Sequence, residues 1–129
     1  MDVRELRLVL TVDDYDAALR FYRDVLGLDQ LAAYDAPNGG RVTLLSAGRA
    51  TVELADAAQA DYIDKVEVGR RVAGPTRVAF EVTDAEGATR RLAEAGAEVV
   101  AEPTRTPWTS LNSRLTTPDG LQITLFQEL

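Results

Sequence analysis

From Glu5 to Val12 the chain alternates, with Leu6, Leu8, Leu10 and Val12 on one face and Arg7, Val9 and Thr11 on the other, the two-residue period of a strand. Asp13 and Asp14 follow as N-cap candidates. Tyr15, Ala18, Leu19, Tyr22 and Leu26 then recur at helical spacing, and Gly27 offers a stop. Three shorter strands are predicted near 29–35, 41–46 and 50–55, separated by Asn38-Gly39-Gly40 and by Gly48.

The same order restarts at Thr76. Arg77 to Val82 reads as a strand, Thr83-Asp84 as a cap, an Ala-rich stretch holding Leu92 as a helix, and Gly96 as its stop. Strands near 97–102, 111–117 and 121–127 follow, the last two joined across Pro118-Asp119-Gly120. Val12 and Asp14 correspond to Val82 and Asp84, and Gly27 to Gly96. The chain therefore reads as one domain of two tandem βαβββ units, over about 1–56 and about 76–129. The linker between them, about 57–75, is alanine-rich and charged without a clear period, and is expected to be solvated, with a short helix near Ala57 to Ile63. Arg70-Arg71 is read as part of that solvated surface.

If the uniformly apolar strand faces cover the helices, the opposite faces look elsewhere. Besides Arg7, Val9 and Thr11 they carry Thr51, Glu53 and Ala55, then Arg77, Ala79 and Glu81, then Gln122, Thr124 and Phe126. Alternation alone allows either a ligand-lined hollow or a face open to water.

Composition narrows the chemistry. A net charge of -7 repels polyanions, so no nucleic-acid partner is expected. The chain has no cysteine and no histidine, which removes disulfides, thiolate nucleophiles, imidazole catalysis and the commonest nitrogen ligand for transition metals. Met1 to Glu5 is charged, and no apolar run approaches the roughly 20 residues that span a bilayer. A cytoplasmic protein with no membrane partner is the expectation.

The stretch from Val12 to Leu28, headed by Asp13-Asp14-Tyr15 and closed by Leu26-Gly27-Leu28, resembles the opening of the vicinal oxygen chelate superfamily. That superfamily includes glyoxalase I, extradiol dioxygenases, fosfomycin-resistance enzymes and bleomycin-resistance proteins. The tail from Pro118 to Gln127 is similar to its closing hairpin, and the duplication covers nearly the whole chain. The resemblance implies an α+β fold in which the two βαβββ repeats curl into an incomplete, cupped β-barrel with helices on the outside. It also implies a homodimer, since a second subunit often completes the cavity.

In metal-using members, four positions on the concave face carry the ligands, typically a His on the first strand of each repeat and a Glu or similar group on each last strand. The resemblance places Arg7, Glu53, Arg77 and Thr124 there. Only Glu53 could ligate, because a guanidinium stays protonated and has no lone pair to donate. The expectation is a cup without metal or other cofactor, and without the glyoxalase or dioxygenase chemistry that needs the ion.

Arg7, Arg77, Glu53 and Glu81 are expected to form a cross-sheet network. It either fills the vacated site or presents planar forks to a carboxylate, phosphate or carbonyl. Pro107-Trp108 resembles a Pro-Trp segment near the pocket of bleomycin-resistance-like members, where Trp108 would be a stacking surface, although a core or interface place fits it equally well. Tyr34 and Phe126 could add to that surface, although core packing is the favoured place for both.

These residues suggest a metal-independent small-molecule-binding protein that sequesters an antibiotic or metabolite through Arg7, Glu53, Arg77, Glu81, Trp108 and Thr124. The alternative is an isomerase-, epimerase- or lyase-like enzyme in which Glu53 or Glu81 is the base and an arginine stabilises an oxyanion. It ranks second because a carboxylate beside an arginine is expected to have a lowered pKa. A dimeric interaction module with a vestigial cup ranks third.

Overall fold

The computed structural model describes all residues from Met1 to Leu129. Each half opens with a strand that ends in an acidic cap. Asp14 accepts the Ala17 N–H at 3.0 Å and Asp84 accepts the Gly87 N–H at 3.0 Å, satisfying donors that a first helical turn leaves free. The first half runs β1 (Val3–Thr11), α1 (Tyr15–Leu19), β2 (Asp29–Asp35), β3 (Arg41–Ala47) and β4 (Ala50–Ala55). After α2 (Ala57–Glu67) the second half runs β5 (Thr76–Val82), α3 (Ala85–Glu94), β6 (Glu98–Arg105), β7 (Ser110–Thr116) and β8 (Gln122–Glu128).

The strands form a single sheet in the order β2-β3-β4-β1-β5-β8-β7-β6. At its centre β1 and β5 run antiparallel with Leu8 opposite Val78, Arg7 opposite Ala79 and Val9 opposite Arg77. Outside them, β4 runs parallel to β1 with Glu53 beside Val9, and β8 runs parallel to β5 with Thr124 beside Ala79. The pairing is thus symmetric about Leu8 and Val78: it exchanges Arg7 with Arg77 and Glu53 with Thr124.

Two apolar clusters lie on the outer face. One gathers Tyr15, Leu45 and Leu54 with Leu10, Val12, Ala18 and Leu19; the other gathers Val82, Ala85, Ala88, Leu115, Ile123 and Leu125. A smaller one, Val9, Ala79 and Phe126, lies on the concave face.

The first helix departs from its predicted course. It is α-helical only to Leu19 and continues over Arg20–Val25 as a π-helical turn, closed by the Leu26 N–H on the Phe21 carbonyl at 2.9 Å. The wider turn rotates the following side chains off the 3.6-residue register. Leu26, expected on the buried face, is exposed, as are Phe21, Val25 and, on β2, Leu31.

The short helix expected near 57–63 is present but extends to Glu67, and its inner face is not solvated. Asp56 caps it by accepting the Gln59 N–H at 2.9 Å and also ties it to β3 by accepting the Arg41 N–H at 3.1 Å. Gln59, Ala60, Ile63, Asp64 and Glu67 are all buried. Gly40 permits this close approach, since a Cβ there would fall 2.4 Å from the Gln59 nitrogen. No helix is long and apolar enough to cross a membrane.

Candidate functional site

The concave face of the sheet and the inner face of α2 enclose a cavity of about 450 Å³. Its floor is Val42, Ala79, Phe126, Thr124 and Arg77, all buried. Arg77 Nη1 donates to Thr124 Oγ1 at 2.8 Å, while Arg77 Nη2 stands 3.9 Å from Glu53 Oε2. From the symmetric place on β1, Arg7 Nη1 stands 3.9 Å from Glu53 Oε1. Arg7 is steadied by its Nε–H donating to Glu5 Oε2 at 2.9 Å and by stacking 4.8 Å from the centre of the Phe126 ring. The other Glu5 oxygen accepts from the Thr51 hydroxyl.

Five of the six residues singled out in the sequence, Arg7, Glu53, Arg77, Trp108 and Thr124, line this cavity. Glu81 does not. It lies two residues past Ala79, opposite Glu5 in the register, and about 6–7 Å of strand carries it beyond the cavity wall. The expected four-charge network is therefore corrected in one member: the second carboxylate on Arg7 is Glu5, which shares Arg7's face one step earlier along β1.

The expectation of a lowered Glu53 pKa is also overturned. Burial raises it, and the attraction of Arg77 and Arg7 only partly offsets that, because 3.9 Å is too far for the direct hydrogen bond that stabilises a carboxylate. Burial likewise lowers the Arg77 pKa, against the pull of Glu53.

Trp108 stands at the mouth, in the turn before β7, with its ring centre 5.9 Å from that of Tyr62 on α2. Tyr34, expected in the core, is 62% exposed and lines the rim, because the end of the edge strand β2 has no layer covering it. Phe126 is buried, and it serves both the small concave cluster and the floor.

The family model of the Glyoxalase/Bleomycin resistance protein/Dioxygenase superfamily matches residues 6–125. The chain belongs to this superfamily. Among solved structures, the hypothetical protein BH1468 from Bacillus halodurans C-125 superposes with a TM-score of 0.75 at 18% identity, over 100% of this chain and 96% of that one. A variant of Streptomyces coelicolor methylmalonyl-CoA epimerase in complex with 2-nitronate-propionyl-CoA gives 0.70 at 20% identity, over 98% and 96% of the two chains. Methylmalonyl-CoA epimerase from Mycobacterium tuberculosis gives 0.64 at 22%, over 98% and 87%. At these identities the fold is what is shared. No curated protein matches the sequence.

Against the metal-using members of the superfamily, the donor set here does not fit a divalent ion. The four places hold one carboxylate, one hydroxyl already accepting from Arg77, and two guanidinium groups 3.9 Å from that carboxylate. A cation placed there would face two fixed positive charges.

One polar cluster beside the cavity was not foreseen. Arg114 is fully buried and donates from Nη1 to Asp64 Oδ1 at 2.9 Å and to Gln122 Oε1 at 2.7 Å, and from Nη2 to Glu67 Oε1 at 2.8 Å. Glu67 Oε2 also accepts from Asn112 Nδ2 at 2.9 Å, and Asp64 Oδ2 accepts the Val72 and Ala73 N–H groups at 2.7 and 2.6 Å. Burial alone would raise the Asp64 pKa, but the two backbone N–H groups and Arg114 together hold it below the usual range. This cluster fastens α2 over the sheet. Asp64 and Glu67 stand three residues apart on one helical face, the only sequence signal that pointed to it.

Proposed function

We propose that the cavity binds a small organic molecule carrying a carboxylate, phosphate or carbonyl group. In this reading the protein is a metal-independent, cytoplasmic binding member of its superfamily that sequesters an antibiotic or metabolite. The observation that carries it is the convergence of Arg7 and Arg77, from symmetric places, on one carboxylate to which neither is hydrogen-bonded. Guanidinium N–H groups are therefore left over for an acceptor on a ligand.

Trp108 is the only tryptophan and stands at the mouth, so its fluorescence reports occupancy. Titration with 4-tert-butylbenzoate should change that signal, and the methyl ester should bind far more weakly. Arg77→Ala should weaken the acid by about 30-fold or more, the consequence of removing one partner of a buried charge contact. Equal affinity for acid and ester would sink the proposal.

A second reading is favoured by one observation: Glu53 is a cavity carboxylate with a raised pKa and no hydrogen-bonded partner, as a general base requires. With Glu81 outside the cavity, a base role falls to Glu53 alone. Two of the three solved structures named above are methylmalonyl-CoA epimerases, which makes proton transfer beside a thioester carbonyl the form to test.

We further read residues 1–129 as a single domain that pairs with a second copy over the exposed Phe21, Val25, Leu26 and Leu31. Size-exclusion chromatography with light scattering should return twice the chain mass, and Val25→Glu should return the monomer. A monomeric wild-type protein at micromolar concentration would refute the pairing.

A further inference from the structure

We propose that the mouth of the cavity is a cation subsite, so that the ligand is zwitterionic: its acidic or carbonyl end lies on the arginine floor and a cationic nitrogen lies at the rim. This rests on the reading of the floor given above and extends it to the other end of the same molecule.

The cavity orders its charge by depth. Arg77 is 6% exposed and forms the floor with Thr124 and Phe126, and Arg7 lies close by over Phe126. Both remaining acidic groups at the opening, Asp35 at the end of β2 and Glu128 at the end of β8, are exposed. Neither takes part in an ion pair, whereas Glu67, which also lines the cavity, is neutralised by Arg114. Both guanidinium groups are therefore deep, beside Glu53, and the carboxylates without an ion-pair partner are shallow.

Three aromatic rings line the same cavity. Tyr34 comes from the β2–β3 hairpin, Trp108 from the β6–β7 hairpin and Tyr62 from α2, with Tyr62 and Trp108 tilted 51° to one another rather than stacked. Tilted rings beside free carboxylates offer π-faces and opposite charge to a cation that keeps part of its hydration. One turn before Tyr62, the buried amide oxygen of Gln59 has no donor, and it would gain one from a ligand N–H by turning toward the cavity. A wholly anionic ligand would satisfy the floor and be repelled at the rim; a wholly cationic one would meet the reverse.

Isothermal titration calorimetry with three probes of one shape tests this. They are 4-(trimethylammonio)benzoate, its neutral-tailed isostere 4-tert-butylbenzoate, and phenyltrimethylammonium, which lacks the carboxylate. At low ionic strength the zwitterion should bind about tenfold more tightly than 4-tert-butylbenzoate. The double substitution Asp35→Asn and Glu128→Gln should erase that preference while leaving 4-tert-butylbenzoate affinity in place, which a general loss of fold would not do. If the two benzoates bind equally well, the cation subsite is wrong and the arginine floor stands. If phenyltrimethylammonium binds as well as the zwitterion, the rim stands and the floor reading fails. Binding of none of the three overturns both.

Discussion

Replacing Arg114 with methionine should remove about 3–5 kcal/mol of stability, because it strips the buried Glu67 of its counter-charge and leaves the buried Asp64 only Arg71, 3.7 Å away. For a chain of this size that corresponds to a fall in Tm on the order of 10–20 °C. The two carboxylates would not suffer equally. Asp64 would keep the Val72 and Ala73 N–H groups, whereas Glu67 would keep only the Asn112 amide. Adding Glu67→Gln to Arg114→Met should therefore recover part of the loss, and Asp64→Asn should recover less, since its backbone donors favour a charged acceptor. The acid limb of the stability curve should change as well. The folded Asp64 pKa is lowered, so its contribution is present above the unfolded carboxylate pKa and is lost as pH falls through the folded value. Without Arg114 that acid-side loss should shrink. Thermal melts of the three variants between pH 3 and 7 would show this, and a wild-type-like Tm for Arg114→Met would mean that α2 is held by its apolar contacts instead.

That cluster also marks where the sequence stopped being legible. Strand alternation put Arg7, Glu53, Arg77 and Thr124 on the faces turned away from the helices but left open whether those faces enclose a cavity or meet water, and only the resemblance to the superfamily gathered the four at one place. Parity, however, gives a face and not a depth. Glu81 shares the face of Arg77 and Ala79 yet runs past the cavity, while Glu5, on the face of Arg7, took the place expected of it. The inner stripe of α2 escaped for a different reason. Hydrophobic periodicity reads buried faces by their apolar residues, and this one consists of Gln59, Ala60, Ile63, Asp64 and Glu67, so the helix looked like charged linker. Its burial depends on partners 45 to 50 residues away in sequence, Asn112 and Arg114, which no local window contains. The π-turn after Leu19 hid the exposure of Leu26 in a similar way, since the spacing was measured on a helix of the wrong pitch.

Glu53→Gln should raise stability at neutral pH while removing any proton transfer, two effects that point in opposite directions for function. The folded pKa of Glu53 is raised, so the folded state holds that proton more tightly than the unfolded chain does. The stability this contributes is full below the unfolded value and is lost as pH rises through the folded one. Above its folded pKa an ionised Glu53 is therefore a burden that the two arginines only partly relieve, and glutamine resembles its protonated form. The variant should melt above wild type at pH 7 to 8, with the gap closing toward pH 4. A gap that widened toward acid would mean that the arginine attraction outweighs burial after all. In the chemical test, wild-type protein with methylmalonyl-CoA in D2O should exchange the C2 proton if Glu53 accepts it, with Arg7 and Arg77 facing the negative oxygen that forms and solvent deuterium returning to carbon. Glutamine should slow that exchange by a factor on the order of 100 to 10,000. Exchange that survived the substitution would remove Glu53 from the chemistry. No exchange by either protein, with undiminished binding of 4-tert-butylbenzoate by both, would identify the arginine pair and its carboxylate as a holding site rather than a reacting one.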